Sequence, residues 1–161
     1  MSGIIDGCAH LPRITVPAGN VVMEQGQPYG TVLVLVEGGV VVERDGLTIA
    51  RVEQPGSIFG EMSSLLGRPA TATVRTTVDT TFLVAENGEE FLLERPDIVM
   101  AVARTLANRL DNLTGYLADV KRQFGDQANH LGMLDDVMHT LIHNETPAVQ
   151  PGSARMPELD Y

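Results

Sequence analysis

Residues 59–74 read Phe-Gly-Glu-Met-Ser-Ser-Leu-Leu-Gly-Arg-Pro-Ala-Thr-Ala-Thr-Val. The glycine at position 60 has no Cβ, so the backbone there can approach another group closely. The β-branched run Thr71–Thr77 predicts a strand, in which Ala72 and Val74 share one parity and face the interior while the residues between them face away. This stretch is therefore predicted to contain a point of close backbone contact at Gly60, followed by a half-buried strand.

Short β-branched runs separated by glycine and proline extend on both sides of this stretch. They are Ile14–Val16, Val21–Met23, Thr31–Val36, Val40–Glu43, Thr48–Val52, Thr71–Thr77 and Thr80–Val84. Asp45-Gly46 joins two of them and favours the tight turn of a two-residue hairpin. Several short strands with turns between them predict a mainly β fold, either a barrel or a roll.

From Glu86 onward the pattern becomes helical. Phe91-Leu92-Leu93 is the apolar part of a short helix that Pro96 interrupts, and a long helix begins at Asp97. Apolar residues follow in that helix at alternating spacings of four and three: Leu106, Leu110, Leu113, Leu117, Val120 and Phe124. This heptad seam predicts a homodimer, and packing of the same stripe within one chain is the alternative.

These patterns divide the chain into three regions. Residues 1–96 are predicted to form the roll with short flanking helices, although the start around Cys8 is expected to be flexible. Residues 97–145 form the long dimerisation helix and a further C-terminal helix, with a break near Gly125 because glycine weakens helices. Residues 146–161 contain prolines and few apolar side chains, which predicts a disordered tail.

The composition narrows the classes of function. With 21 acidic and 11 basic side chains the net charge is -10, which would repel the phosphates of DNA. The single cysteine cannot form an internal disulfide and no secretory leader opens the sequence, so we expect a cytoplasmic protein. The longest apolar run, Val32–Val36, is far short of the ~20 residues of a membrane helix. Neither DNA nor a membrane is an expected partner.

Taken together, the features resemble the cyclic-nucleotide-binding domain family of the catabolite activator protein type. The resemblance extends from about Ile14 to Phe124 and depends on residues 59–74, on Pro17-x-Gly19-x-x-Val22 and on the two helices. It implies a jelly-roll-like β-roll, cAMP or cGMP as the ligand, and a regulatory rather than catalytic role. Transcription factors of this superfamily carry a winged helix-turn-helix after the dimer helix, which is not expected here, so the output would pass to an unidentified protein partner.

In that family a short helix after Gly-Glu holds the cyclic phosphate, since the first N–H groups of a helix lack internal partners. The resemblance implies these ligand-binding residues: Phe59, Gly60, Glu61, Met62, Ser63, Arg68, Thr71, Ala72 and Thr114. Glu61 matches the glutamate that accepts a hydrogen bond from the ribose 2′-hydroxyl. Met62 and Ser63 would supply backbone donors, Thr71 would contact the phosphate, and Thr114 would contact the base.

One position departs from the family pattern. Members that bind cAMP or cGMP usually have arginine directly after the proline, and this chain has Ala70 there. A charge-assisted pair is worth about 1.5–3 kcal/mol, so its loss weakens phosphate binding roughly 10- to 150-fold unless another group compensates. Arg68, on the other side of Pro69, could bring its guanidinium to the same pocket; its alternative is a solvated loop arginine.

Two functions stay open at this point. The first is a homodimeric cyclic-nucleotide sensor, and the second is a degenerate roll that serves as a ligand-independent interaction scaffold, which Ala70 favours. A metal enzyme on a similar roll would need converging imidazoles, and the four histidines all lie outside the predicted strands: His10, His130, His139 and His143. No enzyme activity is expected.

Overall fold

The computed structural model describes residues 2–124. Its elements are α1 (Ser2–Gly7), β1 (Arg13–Val16), β2 (Val21–Met23), β3 (Val32–Glu37), β4 (Val40–Arg44), β5 (Leu47–Val52), β6 (Ile58–Phe59), α2 (Glu61–Leu66), β7 (Thr73–Thr76), β8 (Thr80–Ala85), α3 (Gly88–Glu94) and α4 (Pro96–Phe124). The strands form two antiparallel sheets, ordered β1-β8-β3-β6 and β2-β7-β4-β5. The predicted β-roll followed by a long helix is confirmed.

Each of the seven predicted strands is present, with ends that differ by one or two residues. The hairpin between β4 and β5 turns at Asp45 and Gly46, which have φ values of 52° and 78°. Positive φ at both central residues is the geometry that favours Asp-Gly in two-residue hairpins. The sequence did not predict β6, which has only two residues, or α1.

The ends of the strand region pair with each other. β1 runs antiparallel to β8, from Arg13 opposite Leu83 to Val16 opposite Thr80. β2 pairs with β7 in the other sheet. In each sheet, the strand that comes first along the chain therefore pairs with the strand that comes last.

An apolar cluster fills the interior of the roll. Its buried members are Met23, Leu33, Leu35, Val40, Phe59, Ala70, Val74 and Phe82. The rings of Phe59 and Phe82 meet edge to face, with centroids 6.5 Å apart and planes at 85°. Phe59 and Ala70, both within residues 59–74, thus belong to the core.

The helices after the roll begin close to the predicted positions. Asn87 caps α3 by accepting a hydrogen bond from the Glu90 N–H at 3.3 Å. α4 begins at Pro96 rather than Asp97, because proline is well suited to the first position of a helix. Among residues 2–124, no helix has an apolar stretch long enough to cross a bilayer.

The chain divides into two compact units, and the second begins at Leu106. Its described part, residues 106–124, is helical and carries all six residues of the predicted heptad seam. Leu110 and Leu113 are 42% and 46% exposed, and the other seam positions up to Val120 are partly exposed. The predicted C-terminal helix and disordered tail lie outside the described residues.

The predicted flexible start was wrong. Ser2–Gly7 is a helix, and the side chain of Cys8 that follows it is fully buried. The Cys8 N–H donates to the Ile4 carbonyl at 3.0 Å. The sequence held no local signal for this helix, because the side chain that caps its last carbonyl is Arg95, 88 residues away.

Candidate functional site

Residues 59–74 fold as a strand end, a one-and-a-half-turn helix and a second strand. Gly60 and Gly67 flank α2, and both have left-handed backbone conformations. The first bond within the helix runs from the Ser64 N–H to the Gly60 carbonyl at 3.1 Å. The N–H groups of Met62 and Ser63 therefore precede the first helical bond and lie at the positive end of the helix dipole.

The first half of α2 faces the protein interior. Glu61 and Ser63 are 7% and 4% exposed, whereas Leu65 and Leu66 near the end of the helix are exposed. A carboxylate is tolerated at such a buried position only where donors or cations surround it. Glu61 is therefore a fixed internal group rather than a solvated side chain at a helix terminus.

Gly60 makes a close backbone approach to the loop between β2 and β3, whereas the approach to a ligand that the resemblance implied stays a prediction. Its φ is 86°, and a Cβ added there would overlap the Thr31 carbonyl oxygen and lie 3.0 Å from Cε1 of Tyr29. Burial raises the pKa of Tyr29 to about 12, so this side chain stays a neutral phenol at physiological pH. The positive φ and the close contact with the Thr31 carbonyl together require a glycine at position 60.

The backbone N–H and carbonyl of Ala70 both form hydrogen bonds with the loop between β2 and β3. Its N–H donates to the Gln27 carbonyl at 3.0 Å, and its carbonyl accepts from the Gly26 N–H at 2.8 Å. Its methyl group is 3% exposed and belongs to the core cluster. The side chain of an arginine at position 70 would therefore begin inside the core.

A cavity of about 340 Å³ lies beside α2. Ser63 and Arg68 both line it, together with Tyr29, Asn87 and Glu89. Glu61, Thr71 and Ala72 do not line this cavity. Within the described part of the chain, no cluster of three or more histidine, cysteine, aspartate or glutamate side chains could hold a metal ion.

The remaining predicted positions have ordinary local surroundings. Thr71 and Ala72 are partly exposed and lead into β7, where Val74 is buried and Arg75 lies on the outer side, as its parity predicted. The hydroxyl of Thr114, in the second unit, donates to the Leu110 carbonyl of its own helix at 2.8 Å. The role of Thr114 stays a prediction.

Sequence reasoning missed the loop that positions the site. Gln27, Tyr29 and Thr31 contact Ala70 and Gly60, although more than 25 residues separate each pair along the chain. No periodicity or turn signal marks such contacts. Only the strand pairing brings this loop against α2.

Comparison with known proteins identifies relatives. The cyclic nucleotide-binding domain model matches residues 13–92. Patatin-like phospholipase domain-containing protein 7 of Rattus norvegicus is 31% identical over 116 residues, which are 68% of this chain and 8% of that protein. The CRP-like cAMP-activated global transcriptional regulator of Mycobacterium tuberculosis is 28% identical over 116 residues, 68% of this chain and 52% of that protein. This chain thus spans 52% or less of the length of either relative.

Among solved structures, the catabolite activator protein of Thermus thermophilus has the same fold. The superposition has a TM-score of 0.59 at 24% identity and covers 77% of this chain and 59% of that chain. This likeness supports the β-roll fold.

Proposed function

This chain belongs to the cyclic nucleotide-binding domain family, and we propose that it is a regulatory module that binds cAMP or cGMP. The observation that carries the proposal is the geometry of α2. A left-handed Gly60 starts the helix, a buried carboxylate follows at Glu61, and the N–H groups of Met62 and Ser63 lie at its positive end. A cyclic phosphate joined to a ribose needs these two kinds of group side by side, anion donors and a hydroxyl acceptor.

Each residue then has a distinct proposed role. The N–H groups of Met62 and Ser63 donate to the cyclic phosphate, and Thr71, two residues before β7, supplies a further donor. Glu61 accepts a hydrogen bond from the ribose 2′-hydroxyl. Phe59 and Gly60 act indirectly, because one anchors the helix to the core and the other seats it against the Thr31 carbonyl.

Isothermal titration calorimetry with cAMP and with cGMP tests this function. We expect the wild-type chain to bind one of them, and Glu61→Gln to weaken binding roughly 5- to 10-fold, because a neutral amide oxygen accepts the hydrogen bond less strongly than a carboxylate. Glu53→Gln removes an exposed carboxylate just after β5, which is not among the residues proposed to bind the ligand, and should leave the affinity unchanged. Absence of binding heat at millimolar concentrations of both nucleotides would contradict the proposal.

One observation favours the second candidate function, a roll that keeps the fold and has lost the ligand. Ala70 replaces the arginine of the family pattern, and its side chain is 3% exposed in the core. No cation is therefore supplied from position 70. In this case the chain would contact its protein partner through its helices, and neither nucleotide would change its melting temperature.

We further propose that two copies associate through the heptad seam. The support is the exposure of Leu110 and Leu113, large apolar side chains on one face of α4. Leu113→Glu is expected to convert a dimer into a 17.3 kDa monomer in sedimentation velocity, because it places a charge in the seam. Asn112→Glu adds the same charge at an exposed position outside the seam and should leave the dimer intact. A wild-type chain that sediments as a monomer at tens of micromolar would refute this dimer.

A further inference from the structure

One side chain ties the N-terminal helix to the turn between α3 and α4. Nη1 of Arg95 donates to the Gly7 carbonyl, at the end of α1. Nε and Nη2 of the same guanidinium donate to the two carboxylate oxygens of Asp97, at 2.9 and 2.7 Å. Because Arg95 lies directly between α3 and α4, any change in that turn also moves the group that holds α1.

The charges of this contact suit both helix ends. The Gly7 carbonyl lies at the negative end of α1, where a cation is favourable, and Asp97 lies in the first turn of α4, where a carboxylate is favourable. The hydrogen bond from Arg95 lowers the pKa of Asp97 below its usual value. Gly7 also leaves room for the guanidinium, since a Cβ there would lie 2.7 Å from Nη2 of Arg95.

Among the described residues 3–7, the side chains of α1 are at most partly buried. The helix has six residues, too few to be stable alone, and its two isoleucines, Ile4 and Ile5, are only partly buried. Among residues 3–8, Cys8, directly after the helix, is the one side chain that is completely buried. The hydrogen bond to the Gly7 carbonyl, donated by a guanidinium that Asp97 holds in place, is therefore a large part of what keeps α1 docked.

We propose that Arg95 is a latch that couples the docking of α1 to the geometry of the turn between α3 and α4. A rigid planar fork can satisfy Gly7 and Asp97 together only while that turn keeps its present conformation. When the first turn of α4 moves relative to α3, the fork loses a partner, α1 is released, and Cys8 becomes accessible. This coupling holds whether or not a nucleotide binds.

The rate at which a thiol reagent labels the intact chain tests the latch. Cys8 is the single cysteine, so labelling by dithionitrobenzoate reports directly on its exposure. Arg95→Lys keeps the charge but removes the fork, and we expect labelling at least about 10-fold faster than in the wild type. Arg122→Ala removes the 2.8 Å ion pair between Arg122 and Asp119, elsewhere on α4, and should label at the wild-type rate. Equal rates in the Arg95 and Arg122 variants would overturn the latch.

A second variant separates release of α1 from unfolding of the whole roll. Val40 is completely buried in the core and distant in sequence from the latch, so Val40→Ala should lower the urea midpoint without changing the labelling rate under native conditions. Arg95→Lys should do the reverse, with a large increase in labelling and a small change in the midpoint. If the labelling rates of both variants simply followed their urea midpoints, Cys8 would be exposed by global unfolding and the latch would be refuted.

Discussion

Gly60→Ala is expected to lower the free energy of unfolding by more than about 4 kcal/mol, a large fraction of the stability of an ordinary domain. Two costs combine at this position. Alanine at a φ of 86° is strained by roughly 1–2 kcal/mol. The new Cβ would also overlap the Thr31 carbonyl oxygen, which is backbone and cannot rotate away as a side chain could. Urea unfolding followed by circular dichroism measures the loss.

Gly26→Ala is the matched control for this substitution. Gly26 has nearly the same φ, 81°, but a Cβ there would meet nothing within 4 Å. It should therefore show the backbone strain alone and destabilise by about 1–2 kcal/mol. If both variants lost the same amount of stability, the contact between Gly60 and the β2–β3 loop would not constrain α2.

Ala70→Arg is expected to lower the melting temperature of the nucleotide-free protein by roughly 10 to 20 °C. The substitution restores the residue of the family pattern, but it places a guanidinium where the present methyl group is 3% exposed. An uncompensated buried charge costs about 3–5 kcal/mol, which in a domain of this size corresponds to a shift of that order. Differential scanning fluorimetry measures the shift, and Ala103→Arg at an exposed position of α4 should leave the melting temperature unchanged.

The same variant distinguishes the two candidate functions. If a cyclic phosphate binds at the start of α2, it gives the new arginine an anionic partner, so saturating cAMP or cGMP should raise the melting temperature of Ala70→Arg more than that of the wild type. If the roll is a scaffold without a ligand, neither nucleotide will recover the lost stability. A variant as stable as the wild type without nucleotide would instead mean that side chains at position 70 leave the core.

The fold was predictable from the sequence because its signals are local. β-branched runs, an Asp-Gly turn and a heptad seam each depend on a few neighbouring residues, and they located seven of the eight strands and both helices that follow the roll. β6 was missed because Ile58 and Phe59 are too few to show a period of two. α1 was missed because the cap on its last carbonyl comes from Arg95.

The candidate site was predictable in its residue types and less so in its surroundings. The family resemblance implies that Gly60, Glu61 and Ser63 lie at the start of one helix, and the structure has them there. The sequence could not show that Ala70 belongs to the core, because that depends on hydrogen bonds to a loop more than 40 residues earlier. Nor could it show that Arg68 lines a cavity with Ser63.

The pairing of β1 with β8 has a consequence for synthesis of the chain. Arg13 finds its partner only at Leu83, so the first strand leaves the ribosome some 70 residues before the strand that completes it. Contacts between such distant residues form slowly, since a long loop must close first. A nascent chain that ends before β8 lacks the strand that lies between β1 and β3, so the first sheet is incomplete and the edges of those two strands are exposed. We therefore expect the roll to fold late and in one step, after Ala85 has emerged.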